Sequence, residues 1–445
     1  MPIVILSQAK VASRPNQATL IAQSIGKGPS DRQRRGNMTS DTKVPAYVQN
    51  GIKKAAQSLQ FGSGYTVDYD FRTGSHSSGC VSVVYQITLR EEPREVTLLC
   101  KVPPPNVDQT LMALFEREVF VYQRLLPTFS QFQEEHDILP GTEEFIYAPT
   151  CHYAYFDAKK REGLLILEDV GRRLFGNRKK YEPIDYDHGR LAMIQLGRFH
   201  AVSLALKDQL PELFQGFQQL EDVTRDQVTT MEGFREIMEL SFDQAIETLS
   251  VHEVTKKEKL NKLKTNFVEE LKIVADSELS EPFCVMCHGD YSSSNVMYRY
   301  NSGFPNRLVM LDWQLTKYGS PALDFLHFMF LSTDESFRRN HYDNMLQTYH
   351  NALLGHLERL GGENATERFP LTSLMRLIKT QAKYAVSLAV LHIPMTIFKA
   401  GEEETGQEDE KEKENKGARS SEPIDAKYHS RMNGFLKDVF RLGYL

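Results

Sequence analysis

The run His288-Gly289-Asp290-Tyr291-Ser292-Ser293-Ser294-Asn295 sets a carboxylate and a carboxamide five residues apart in a short polar loop. With that spacing, Asp290 can face a substrate hydroxyl while the amide oxygen of Asn295 reaches a divalent metal held by phosphates, the layout of a phosphoryl-transfer loop. Further on, the apolar run Arg307 to Leu311 ends in Asp312-Trp313. An acid just past a strand is placed to chelate Mg²⁺ bridging the terminal phosphates of ATP. Each piece is weak alone, because His-Gly-Asp triplets arise by chance and an acid at a strand end is usually a turn or cap residue. Upstream, Lys101 closes the run Val96 to Cys100, where its ammonium can hold nucleotide phosphates, and Glu118 stands in the next helix, where it can pair with Lys101. Taken singly, Lys101 reads as an edge lysine and Glu118 as a solvated helix charge. Strand, helix and two acidic loops in this order favour the catalytic reading.

The elements that must carry these residues are legible in outline. Residues 1–43 lack sustained periodicity and hold a basic cluster at Arg32, Arg34 and Arg35, so a flexible extension is expected. A mitochondrial transit peptide is the weaker reading, since the amphipathic pattern is poor. Val48, Ile52, Ala55, Ala56 and Leu59 predict a first helix, and Tyr65 to Phe71, Val81 to Leu89 and Glu95 to Val102 predict an antiparallel sheet. The turn Gly74 to Gly79 could close over phosphates through backbone N–H groups, with Gly79 the candidate contact, and a plain hairpin turn fits the same residues. Leu111 to Leu126 predicts one helix. Gly163 to Leu167 predicts a strand ending in Glu168-Asp169-Val170-Gly171. From Asp187 the pattern is mostly helical, including Val254 to Val274 and a last helix from Ile424 to Arg441. Only the short strands at Phe283 to Met286 and Arg307 to Leu311 interrupt it. Glu402 to Lys416 is acidic and low in complexity, and a solvated loop is expected.

Composition narrows the class. The 445 residues and net charge of -6 suit a soluble globular protein and argue against a broad nucleic-acid surface. Five cysteines, odd in number and set in apolar runs, suit reduced thiols in the cytoplasm. No stretch has the length of a membrane span. Cys284-Val285-Met286-Cys287 lacks a second pair at zinc-finger spacing, so strand packing explains it. His200, beside Phe199 in an apolar helix, reads as a structural histidine. Asp324 is placed to cap a helix and to brace the catalytic loop.

Several ordered blocks together resemble the ecdysteroid kinase-like family, within the choline and aminoglycoside kinase class of the protein-kinase-like fold. They are Cys100-Lys101-Val102-Pro103-Pro104, Phe115 to Tyr122, Leu164 to Gly171, Gly197 to Ala201, Cys287 to Asn295, Leu311 to Gln314, Gly319 to Asp324 and Arg441 to Leu445. The resemblance runs from about Val44 to Leu445. It implies an α+β, two-lobed fold with a small sheet lobe over 44–170 and a helical lobe over 171–445. It implies that ATP and Mg²⁺ are cofactors, that Asp290 accepts or orients the substrate proton, and that Asn295 and Asp312 bind Mg²⁺. Lys101 and Glu118 would then position the phosphates, and Glu168 to Val170 would form the hinge whose backbone meets adenine. The family usually has Leu then Trp after the Asp and a doubled Asn, where this chain has Tyr291, Ser292 and Ser294. Trp313 replaces the usual Phe. The expected partner is a small-molecule hydroxyl substrate, steroid-like or xenobiotic, with a monomer as the default state. A choline- or sugar-type kinase and a catalytically silent ligand-binding relative are the rival readings.

Overall fold

The computed structural model describes residues 44–70, 82–105, 107, 109–142, 145–146, 148–177, 183–220, 223, 233–274, 277–406 and 424–445. They fall into two compact units, one drawn from Met1–Pro127, Ala148–Leu174 and Met231–Gly233, the other from Thr128–Tyr147, Phe175–Thr230 and Phe234–Leu445. The extension 1–43, the turn with Gly79 and the acidic stretch after Gly406 lie outside the described residues.

The first unit is built on an antiparallel five-stranded sheet. Helix α1 (Ala46–Ser58) precedes β1 (Thr66–Asp70), β2 (Val83–Glu91) and β3 (Arg94–Val102); β4 (Cys151–Asp157) and β5 (Glu162–Glu168) complete the order β1-β2-β3-β5-β4. The sheet exists because β2 alternates: Tyr85, Ile87 and Leu89 are buried on one face, where Leu98 and Cys100 of β3 and Leu164 and Ile166 of β5 join them. Val48, Ile52, Ala55 and Ala56 of α1 close this core. Each fully buried aliphatic side chain contributes roughly 1.5–3 kcal/mol. Gly51 lets α1 approach the sheet, since a Cβ there would collide with Leu164.

The single helix expected over Leu111 to Leu126 is instead α2 (Gln109–Phe120), a π turn (Val121–Leu125) and α3 (Leu126–Glu135). The wider turn carries Val121, Tyr122 and Leu125 onto the buried side.

The second unit is mostly helical. Its longer helices include α4 (Tyr186–Gln209), α5 (Phe234–Glu247), α6 (Val254–Val274), α7 (Ala322–Ser332), α8 (Glu335–Arg359), α9 (Leu371–Gly406) and α10 (Ile424–Arg441). Helix α9 runs through the first five residues of the acidic stretch that was expected to be a loop; glutamate is a good helix former. Two short antiparallel pairs lie among the helices. β6 (Val285–Cys287) pairs with β9 (Lys317–Gly319), and β7 (Val296–Asn301) forms a hairpin with β8 (Phe304–Met310). The α+β class expected from the sequence is what the two units show. Among the described residues, no helix is long and apolar enough to cross a membrane.

Candidate active site

The loop between β6 and β7 carries Asp290 and Asn295, and it is held from both ends. At Gly289 the backbone takes φ +83°, and a Cβ would collide with the carbonyl of Leu315, so only glycine fits. Asp324, in the first turn of α7, accepts hydrogen bonds from the amides of His288 (2.6 Å) and Gly289 (2.9 Å). It braces the loop as expected but does not cap its helix, where Pro321 is the N-cap residue. His200 Nε2 lies 3.2 Å from the same carboxylate and His200 Nδ1 2.7 Å from the Tyr349 hydroxyl, which makes His200 a fully buried linker. Burial raises the Asp324 pKa, but the bond to His200 and the surrounding histidines outweigh it and leave the pKa lowered.

His288 adds a second tie. Its Nδ1 accepts from the amide of Asp290 (3.3 Å), so Nε2 carries the hydrogen donated to the carbonyl of Leu311 (2.9 Å). Burial lowers its pKa and keeps this neutral form. Tyr291, one of the departures from the family pattern, is turned inward: it is fully buried and its hydroxyl donates to the carbonyl of Ala192 (2.9 Å). It anchors the loop to α4 and does not face an acceptor.

Asn295 Nδ2 donates to the carbonyl of Asp290 (2.8 Å), and the amide of Leu311 donates to the carbonyl of Asn295 (2.9 Å). The loop and the end of β8 are thus joined through Asn295, next to Asp312. Asp312 adopts φ 69°, ψ 67°, a left-handed conformation uncommon for a residue with a Cβ. Such strain persists where the surroundings impose it, often at functional positions. The donor set of Asn295 and Asp312 is an amide oxygen and a carboxylate, hard ligands that fit Mg²⁺.

Asp290 has a neighbour that sequence reasoning missed. His327 of α7 places Nε2 3.0 Å from Asp290 Oδ1, and both side chains are largely buried. Burial opposes ionisation of Asp290, yet the contact with His327, backed by His392, holds its carboxyl well below the usual carboxylate range. The two imidazoles meet edge to face at 5.7 Å. The available signal was a histidine three residues after Asp324, in a helix otherwise almost wholly apolar.

In the first unit, Lys101 Nζ lies 2.9 and 2.7 Å from the two carboxylate oxygens of Glu118. Lys101 is not an edge lysine, because β3 is the central strand of the sheet, and Glu118 is not solvated, being 1 % exposed. Glu168 ends β5; its carboxylate accepts from the amide of Thr150 (3.1 Å) and from Arg173 (3.2 Å). Val170 opens a 3₁₀ turn whose N-cap is Asp169, bonded to the amide of Gly171 (3.0 Å).

A third grouping, His200, Cys287 and Asp324, brings three ligand atoms within 4.8 Å of one another. It is a structural knot: Cys287 Sγ donates to the carbonyl of Ser320 (3.3 Å), and the other two are spent on bracing the Asp290 loop. Cys284 Sγ likewise donates to the carbonyl of Ser277 (3.1 Å).

A family model for the ecdysteroid kinase-like family matches residues 77–362, well over half of the chain. The chain belongs to the ecdysteroid kinase-like family. The matched stretch contains every site residue named from the sequence and is shorter than the resemblance from Val44 to Leu445. A search of curated proteins finds no match to this ecdysteroid kinase-like chain. Among solved structures, an ethanolamine kinase from Plasmodium vivax is 13% identical with a TM-score of 0.38, covering 98% of this chain and 99% of that chain. A choline/ethanolamine kinase family protein from Mesorhizobium loti is 11% identical with a TM-score of 0.33, over 88% of this chain and 95% of its own. An amicoumacin kinase in complex with AMP-PNP and Ca²⁺ is 12% identical with a TM-score of 0.36, over 88% and 93%. Likeness at this level carries no argument about chemistry.

Proposed function

We propose that this chain transfers the γ-phosphoryl group of ATP to a hydroxyl of a small, lipophilic alcohol. The observation that carries the reading is the joining of Asp290, Asn295 and the Asp312 strand end by two backbone-directed bonds, Asn295 Nδ2 to the Asp290 carbonyl and the Leu311 amide to the Asn295 carbonyl. Family membership supports it. In the reaction, the acceptor oxygen bonds to the γ-phosphorus, the bond from that phosphorus to the bridging oxygen breaks, and ADP leaves. The hydroxyl proton passes toward Asp290 Oδ. A carboxyl held below its usual range is a weaker base, so Asp290 acts chiefly by orienting the hydroxyl, which suffices for a loose phosphoryl-transfer transition state. Lys101 positions the phosphates and Glu118 fixes Lys101. The backbone around Glu168 and Val170 receives the adenine. Asn295 and Asp312 would hold Mg²⁺, which supplies charge neutralisation on the phosphates when bound.

Labelled ATP and a panel of hydroxylated lipophiles, with choline alongside, provide the test. Phosphorylated lipophile from the wild type and none from Asp290→Asn is the expected outcome. Substantial turnover by Asp290→Asn would remove the assigned role. Asp312→Ala should weaken Mg·ATP binding at least about tenfold by calorimetry, since it deletes one of two protein ligands. An unchanged affinity would count against Asp312 as a ligand.

A further inference from the structure

Away from the Asp290 loop, three side chains of the second unit form a continuous hydrogen-bonded chain that ends at the surface. Asp185 is the N-cap residue of α4, and its Oδ1 accepts from the amide of His188 (3.1 Å) and from the imidazole Nδ1 of the same residue (2.6 Å). A carboxylate has no proton to give, so Nδ1 holds the hydrogen and Nε2 of the neutral ring is left as an acceptor. That Nε2 lies 2.9 Å from the hydroxyl of Tyr300, near the end of β7. The imidazole is 7 % exposed and is held edge to face against the Tyr298 ring at 4.7 Å, whereas Tyr300 is 43 % exposed. A hydroxyl within hydrogen-bond reach of a base, with the base oriented by a third group, is the arrangement that makes a nucleophile. Helix capping accounts for the bond from Asp185 to the His188 amide, but not for a ring that continues on to an exposed phenol.

We propose that Tyr300 is a nucleophilic hydroxyl that accepts an acyl group from a neutral activated ester, with His188 as its base and Asp185 as the residue that positions the base. Tyr300 Oη bonds to the carbonyl carbon of the ester while its proton passes to His188 Nε2. The bond from that carbon to the leaving oxygen then breaks, and the departing oxygen takes the proton from Nε2. The products are an acyl-tyrosine and a free phenol or enol, and no oxidant or further reactant is needed. The leaving group must be a stronger acid than the tyrosine phenol, since otherwise the tetrahedral intermediate expels Tyr300. Charge favours a neutral donor over a phosphorylated one. The side chain of Asp185 is about half exposed beside the ring, so a phosphate group would meet a carboxylate, and the guanidinium of the preceding residue, Arg299, stands over the Phe175 ring at 5.6 Å. Tyr186 supplies a reference within the same molecule. It is 36 % exposed, its ring packs on that of His341 at 5.0 Å, and its hydroxyl donates to the amide oxygen of Asn344 (2.9 Å). A carboxamide oxygen does not take up a proton near neutral pH, so Tyr186 has similar access and no such base.

The experiment treats the full chain with p-nitrophenyl acetate at neutral pH, follows acetylation of each tyrosine by peptide mass spectrometry, and records release of p-nitrophenolate. In the wild type, Tyr300 should be acetylated at least about tenfold faster than Tyr186. His188→Gln should slow acetylation of Tyr300 by about tenfold or more. Asp185→Asn keeps a good N-cap and should leave the urea midpoint near that of the wild type, yet still slow acetylation, a separation that a purely structural role would not give. Tyr300→Phe should remove the adduct and its share of the p-nitrophenolate. With p-nitrophenyl phosphate, Tyr300 should stay unmodified. Equal acetylation of Tyr300 and Tyr186 in the wild type would overturn the proposal, and that comparison needs no variant to fold. So would an unchanged rate in His188→Gln, an acetyl group resting on His188 in place of Tyr300, or phosphorylation of Tyr300 by the phosphate ester.

Discussion

Asp290 carries its charge in a setting where burial by itself would neutralise it, and the contact with His327 tips the balance toward the carboxylate. The consequence is a carboxylate that stays ionised at neutral pH. Its folded-state pKa is depressed, so the carboxylate form persists as pH falls and is lost only at strongly acid pH. Replacing Asp290 by Asn should therefore cost about 10²–10⁴ in kcat with little change in melting temperature, since size is kept. Replacing His327 by Asn removes one of the groups that holds the pKa down. The acid limb of the kcat/KM–pH profile should then move to higher pH, and an unmoved limb would show that His327 does not tune Asp290.

At the scale of elements, the loop that carries Asp290 depends on a helix that follows it in sequence. Asp324 of α7 binds the amides of His288 and Gly289, and Gly289 leaves no space for a side chain. Gly289→Ala combines a left-handed backbone with a backbone collision and should cost about 3 kcal/mol or more, visible as a lowered urea midpoint. Much of this layout was legible. The strand before Asp290, the strand before Asp312, the helix with Glu118 and the strand with Lys101 have the apolar runs that residue patterns detect. β4 was not legible, because all seven of its residues are half-buried and show no alternation. β7 and β9 were missed for another reason: β9 has only three residues, and pairing with a partner, not local pattern, creates both. His327 lies among apolar neighbours, and only the folded chain brings it beside the loop. The wider turn at Val121–Leu125 interrupts a pattern that a uniform helical period cannot represent.

Across the second unit, the last helix is tied in by charge as well as by packing. Arg338 of α8 and Asp438 of α10 pair at 2.8 Å with 1 % of each side chain exposed, and the Tyr342 and Tyr444 hydroxyls meet at 2.6 Å. A buried pair of this kind is not a large net source of stability, but breaking it strands a charge. Asp438→Asn should lower the unfolding free energy by about 3–5 kcal/mol in denaturant titration. Arg338→Met combined with Asp438→Leu should recover much of that loss. A double variant no more stable than the single one would show that the pair contributes more than mutual compensation.

Trp313 is the chain's one tryptophan, fully buried, 4.6 Å from the ring of His288 and 5.3 Å from that of Phe199, and next in sequence to Asp312. The molecule therefore contains its own optical reporter against the loop that carries Asp290. Emission excited at the indole should be short in wavelength in the native state, and it should respond to nucleotide and magnesium titration without any attached dye.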